Sequence, residues 1–344
     1  MSDMTGVSAR ALPFSGGVPK MPGPMITPTD RPTLFVYRDW LTATLTGKHR
    51  ARFLHAMLTA EVQKRTPGES FFATMATSNG RHLGQVRLEV EEQAIVMSGF
   101  ARSLFGVLEG LKKHKVADDV KWAPEAVDAP TTATLALYGA GAHQVVERAL
   151  GADVELGRWR DIGHPEHGGL RIVGVPAIES EQGRDAVLVR VAAAEVARLR
   201  VKLLAAGAEP LDDVTWNRRR VENGWPLDGV DLGEDDVSLA SERLGALVSW
   251  SKGCFLGQEV FVMARDRGEL PKKVRGLRGP GEPPAGGELF EGEGDKVVGR
   301  LGSTALSASG WLGLAVLKRK HAEPGTVVKL ADGREARVVA LPVH

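Results

Sequence analysis

Beyond residue 269 the sequence abandons helical periodicity. "KKVRGLRGPGEPPAGGEL" is punctuated by glycine and proline, and the short apolar runs "KVVGRLGSTA", "GWLGLAVLK", "GTVVKLADG" and "EARVVALP" follow between turn residues. Runs of this length and spacing pair into a small antiparallel barrel or sandwich. Residues before that point mix helical stripes with strands. The expected class is therefore α+β, with an all-β module over 269–344.

Two mixed units precede that module. "ARFLHAMLTAEVQK" sets Phe53, Leu54, Met57, Leu58 and Val62 on one helical face, with Pro67-Gly68 as the stop. "SFFATMAT" reads as a strand, the Asn79-Gly80 pair as a tight turn, and "QVRLEVEEQAIVMS" as the antiparallel return. "SLFGVLEGLKKHK" is expected as a helix that buries Leu104, Phe105, Leu108 and Leu111, and its Lys112, Lys113, His114 and Lys115 cluster reads as a solvated end suited to the helix dipole, with a phosphate-binding patch as the alternative. From Thr132, the order "TATLALYG", "AHQVVERALG", "GGLRIVGVPAI", "DAVLVRVA" and "AAEVARLRVKLLAAG" is β-α-β-β-α, a ferredoxin-like unit over 132–207 with Gly207 as its helix cap. Gly139-Ala140-Gly141 imitates a dinucleotide-binding turn, but Gln144 stands where the third glycine belongs. A structural strand-to-helix turn is the expectation.

Composition narrows the function classes. At 344 residues the chain has room for two or three domains. A net charge of +1 argues against nucleic-acid binding driven by bulk charge. One cysteine excludes an internal disulfide and indicates a reducing compartment. No apolar run approaches the ~20 residues of a membrane span. Residues 1–32, rich in Gly, Pro, Ser and Thr, read as a flexible arm, with a mitochondrial presequence as the alternative. A cytoplasmic monomer is expected, or a matrix protein if the arm is such a presequence.

Three stretches carry chemistry. "KGCFLGQEV" holds the single Cys254, two residues after Lys252. A thiol becomes reactive when a cation or helix N-terminus favours its thiolate, which Lys252 would do, and Gly253 and Gly257 would let groups approach the backbone. The competing reading is a small buried apolar residue in a glycine-defined turn. One thiolate cannot build a stable zinc or iron–sulfur site, so no stably bound metal is expected, although Cys254 remains open as a transient ligand. "GHPEHGG" offers His164, Glu166 and His167, but a loop with proline gives little of the outer support that ligands need, and a polar hairpin tip is favoured. "RRRVENGWPLDGVDL" sets Arg220 and Glu222 on one face if extended, either as a carboxylate receptor or as an internal ion-pair network. Trp216, Trp225 and Trp250 flank both blocks, as core residues or as a cleft that stacks a flat ring.

"RRVENGWPLDGVDL", "LVSWSKGCFLGQEV" and "RDRGELPKKVRGL" together resemble the signature blocks of the YgfZ family, folate-binding proteins with the fold of the glycine-cleavage T-protein, an aminomethyltransferase. The family hallmark Lys-Gly-Cys-aromatic-x-Gly-Gln-Glu is matched by Lys252, Gly253, Cys254, Phe255, Gly257, Gln258 and Glu259. Arg220, Glu222, Gly224, Pro226, Arg265 and Gly268 add supporting matches, and the likeness spans about residues 33–344.

The resemblance implies a three-lobed, GcvT-like ring able to bind tetrahydrofolate. The body would be 33–131 with 208–268, beside the 132–207 unit and the 269–344 barrel. It implies a role in assembling or repairing iron–sulfur clusters, including those of radical enzymes that methylthiolate tRNA. The implied partners are folate and iron–sulfur assembly proteins or client enzymes, without direct contact to nucleic acid or membrane. Cys254 and Lys252 would carry the reactivity, and Arg220, Glu222, Trp250 and Glu166 the folate. Two departures stand out. "GHPEHGG" is the counterpart of the T-protein's pterin-holding acid block and places His167 where the acid falls, and Ala60-Glu61 replaces an Asn-Asp pair. The alternative function is a folate-dependent one-carbon transferase.

Overall fold

The computed structural model describes residues 31–267, 270–292, 294 and 296–343, arranged as three lobes, each built on its own sheet. Residues 1–30 of the expected arm and Gly268 lie outside the described residues.

The first sheet runs Ser70–Ala76, His82–Val90, Ala94–Phe100, Trp40–Thr46, Lys121–Pro124 in spatial order, all antiparallel. Gly80 takes φ +73° in the turn after the first of these, as its sequence predicts. The return expected as one run is two strands, because the chain reverses at Glu91, whose amide bonds the Ala94 carbonyl. Helices α1 (Arg50–Met57) and α2 (Ala101–His114) cover one face, burying Phe53, Leu54, Leu104, Leu108 and Leu111 among the strands' inward residues. α1 stops well before Pro67-Gly68. Leu58 turns extended and bridges Met75, and Thr59 exchanges hydrogen bonds with Thr74, so pairing to the sheet replaces the last helical turns.

The second sheet has the order Glu209–Pro210, Thr33–Val36, Thr132–Tyr138, Ala186–Ala192, Gly168–Val175, Trp159–His164. α3 (Ala142–Leu150) and α4 (Val196–Ala205) pack on it. Two corrections follow. Thr33–Val36 pairs with Thr132–Tyr138, so it belongs to this lobe and not to the first. The mostly exposed strand Trp159–His164 has no apolar alternation, which is why its sequence does not announce it. Gly139 and Gly141, at φ +99° and +86°, form the structural turn before α3, in an antiparallel setting foreign to a doubly wound sheet.

α5 (Asp213–Asn223) and α6 (Glu242–Gly245) lie in the connection to the third lobe, and α7 (Gln258–Arg267) ends it. The stretch around Arg220 and Glu222 is thus helical and not extended. Asp212 caps its start by accepting from the Thr215 amide, and Gly224 ends it at φ +76°. The third lobe is a closed barrel in the order Lys272–Gly279, Gly310–Lys318, Val297–Ser307, Gly287–Phe290, Val327–Leu330, Glu335–Val339, filled by Leu277, Leu289, Leu301, Trp311 and Leu317. α5 seats on it, with Asn217 donating to the Thr304 carbonyl.

Candidate functional site

Cys254 is exposed, which overturns the reading of it as a buried apolar residue. Its loop is fastened on both sides. The Ser249 amide bonds the Thr59 carbonyl, the Leu256 amide bonds the Ala56 carbonyl, and Gln258 Oε1 accepts from the Phe255 amide at 3.1 Å. Phe255 is buried edge-on against Phe261. Gly257 sits at φ +79°, and a Cβ there would collide with the Thr77 carbonyl oxygen, so the loop closes against the turn of the first sheet only with glycine. Glu259 is exposed in the first turn of α7, where a carboxylate suits the dipole. The thiol is held in water by a rigid frame.

Lys252 does not play the part its spacing suggests. Only 7% exposed, it turns away from solvent and donates Nζ to the carbonyls of His55, Leu58 and Ala60, capping the end of α1. Its ammonium therefore locks the loop onto the first lobe. Burial pushes its pKa from 10.5 to about 8, opposed by Glu61. Below pH 8 folded and unfolded chains both hold this proton, and the folded chain bears the full cost of burying it. Between 8 and 10.5 only the unfolded chain holds it, so stability is expected to rise with pH across that window, by at most about 3 kcal/mol. Urea denaturation from pH 7 to 10 checks this. Lys252→Met should lack the rise, and an equal slope in both chains would contradict it.

Sequence reasoning missed His55. Its Nδ1 lies 2.9 Å from Glu61 Oε1, and its Nε2 faces Gly253, 3.6 Å from where a side chain there would begin. Burial and the nearby Lys252 ammonium lower its pKa, which keeps the imidazole neutral. A neutral imidazole edge thus faces the residue preceding the thiol, its Nδ1 shared between Glu61 and the Val62 and Gln63 amides. A lone histidine in a helical stripe gives no signal in sequence; only Ala60-Glu61, in a noted position, pointed here.

The expected folate contacts fare differently. Arg220 is 0% exposed, and its guanidinium donates to Asp231 Oδ2 (2.8 Å), Ser303 Oγ, Asn217 Oδ1 and the Trp225 carbonyl. Asp231 also accepts from the Ser303 and Leu227 amides. Arg220 as a folate ligand is corrected: it is the internal ion-pair alternative, tying α5 to the barrel. Glu222 is half-buried, 4.0 Å from Arg218, and is not joined to Arg220. Trp216 and Trp225 are core residues, stacked on Phe35 and edge-on to Phe72. Trp250 alone of the three is open, 37% exposed, with the Arg265 guanidinium 4.7 Å over its ring. Glu166 lies on the tip of the edge hairpin of the second sheet, paired with Lys202 at 2.6 Å. It is on a different lobe from Cys254.

A buried carboxyl that sequence reasoning did not single out lies where the first two lobes and α5 meet. Glu181 accepts from Tyr138 Oη at 3.3 Å, Tyr138 shares a 2.5 Å hydrogen bond with Tyr37, and the Glu181 carbonyl accepts from Asn223 of α5. Burial raises the Glu181 carboxyl pKa. Beside it, Arg87 of the first lobe pairs with Glu179 at 2.9 Å.

Comparison with known proteins agrees with this architecture. No family model matches the chain. A putative chloroplastic transferase of Arabidopsis thaliana is 26% identical over 303 residues, covering 87% of this chain and 68% of that protein. The tRNA-modifying protein YgfZ of Yersinia enterocolitica is 23% identical over 336 residues, covering 93% and 94%. Among solved structures, the glycine cleavage system aminomethyltransferase T of Bartonella henselae superposes with a TM-score of 0.74 at 20% identity over 91% of this chain and 86% of its own, a likeness of fold. Among the described residues no helix is long and apolar enough to cross a membrane.

Proposed function

We propose that this chain, a YgfZ-family protein with the aminomethyltransferase fold, is a tetrahydrofolate-binding accessory factor for iron–sulfur enzymes, those that modify tRNA among them. The observation that carries the reading is the contrast at residues 249–258. Each anchored neighbour of Cys254 serves the frame, while the thiol is presented to solvent. A rigid frame around an exposed thiol suits transient work on a partner's cluster, since a fixed thiol exchanges ligands without reordering its loop. The YgfZ relatives are tRNA-modifying proteins by name, which supports the same class of client. Lys252 enters this reading as the anchor of the loop and His55 as the imidazole beside it. Cytoplasm is the proposed location. The test is replacement: the chain is expressed in a bacterium deleted for its own YgfZ gene, and methylthiolated tRNA nucleosides are measured. Restoration supports the proposal, and no restoration by soluble protein overturns it.

One observation favours a second reading, folate-dependent one-carbon transfer. That chemistry needs a carboxyl near the reactive nitrogens. Glu181, buried with a raised pKa at the lobe junction, fits that requirement better than Glu166. Folate-dependent turnover lost in Glu181→Gln would establish it.

A further inference from the structure

The tip of the edge hairpin has the outer support that its sequence gave no reason to expect. His164, Glu166 and His167 present ligand atoms that all lie within 4.8 Å of one another. The two imidazoles stack at 4.9 Å and 28°. His167 is 5% exposed, and its Nδ1 lies 3.3 Å from Glu195 Oε2, at the start of α4. A carboxylate there fixes the proton on Nδ1 and leaves Nε2 as a bare lone pair. That Nε2 is buried, has no hydrogen-bond partner among the described residues, and lies 3.9 Å from Glu166 Oε2. An orphaned acceptor of this kind is destabilising unless something occupies it.

A cation already stands at the cluster. Lys202 of α4 places its ammonium 2.6 Å from Glu166 Oε2 and 3.3 Å from His164 Nε2. His164 Nδ1 meanwhile faces the Glu166 amide at 3.2 Å. Two donors thus meet a ring that, when neutral, has one acceptor. From this geometry we propose that His164, Glu166 and His167 form a binding site for a zinc-class divalent cation, for which Lys202 is the internal competitor. Two imidazoles and a carboxylate are a donor set such ions accept in tetrahedral geometry, with the fourth position left to water. Binding moves the Lys202 ammonium into solvent and gives up the weak contact at His164 Nδ1; Glu195 keeps His167 oriented. Arg198 pairs with Glu195 at 3.4 Å, so Lys202 at the cluster and Arg198 behind Glu195 are the nearby positive groups that oppose the ion.

The test uses the full chain carrying Cys254→Ser, so that the exposed thiol takes no metal. Co2+ is titrated by its visible absorption, and Zn2+ by displacement of bound Co2+. One equivalent with tetrahedral absorption is expected. His164→Ala, an exposed-hairpin change that spares the core, should weaken binding about tenfold or more, and Lys202→Ala should tighten it. Absence of saturable binding, or an affinity unchanged in His164→Ala, overturns the proposal. Because His164 and the thiol loop lie on different lobes, tRNA methylthiolation in the replacement strain separates failure here from failure of the thiol reading.

Discussion

Cys254→Ala is expected to abolish the restoration of tRNA methylthiolation in a strain deleted for its own YgfZ, while leaving stability within about 0.5 kcal/mol of the parent. The two halves of this result rest on different observations. Cys254 is exposed, so its sulfur contributes little to packing. The loop that carries it is held by Lys252, Phe255, Gly257 and Gln258, none of which the substitution touches. Loss of function at unchanged melting and soluble yield therefore assigns the work to the thiol. Full restoration by the variant would reduce the loop to a structural clamp between α7 and the first lobe.

Arg220→Ala should be the most destabilising of the changes considered, by about 3–5 kcal/mol. Removing the guanidinium leaves Asp231 buried without its cation, and leaves the Ser303 hydroxyl and the Trp225 carbonyl short of a donor. Because these groups come from α5, the connection after it and the barrel, the third lobe should loosen from the other two. Urea denaturation followed by tryptophan fluorescence measures the loss. Glu222→Ala, at the half-exposed rim of the same helix, should cost less than about 1 kcal/mol. Equal and small effects at both positions would contradict the assignment of Arg220 to the frame.

How much of this was legible in the sequence depends on what kind of contact decided each point. The barrel was legible from the four runs between its turn residues, which are four of its six strands, whereas Lys272–Gly279 and Gly287–Phe290 lie in the stretch that reads as glycine and proline punctuation. Over 132–207 the other elements were legible in order but the half-exposed strand Trp159–His164 was not, and Thr33–Val36 joins that sheet from about a hundred residues away, a pairing that no local pattern records. At the site, Gly257 and the thiol loop could be read from residue types. The direction of Lys252 could not, because two residues of spacing does not say which side of a turn a side chain leaves. Arg220 and Glu222 looked paired under an extended reading, but on a helix residues two apart leave from roughly opposite sides, so one is buried and the other lies at the rim. His55 and Glu181 were invisible for a further reason: a single polar residue in an apolar stretch gains meaning only from neighbours distant in the chain.

The proposed folate-binding frame with its separate working thiol can be checked by titrating reduced tetrahydrofolate into the intact protein and into Cys254→Ala, following tryptophan fluorescence. Saturable binding of equal affinity in both is predicted, because the thiol stands in solvent and the frame does not need it. No binding in either chain would contradict the folate claim and leave a scaffold bearing an exposed cysteine.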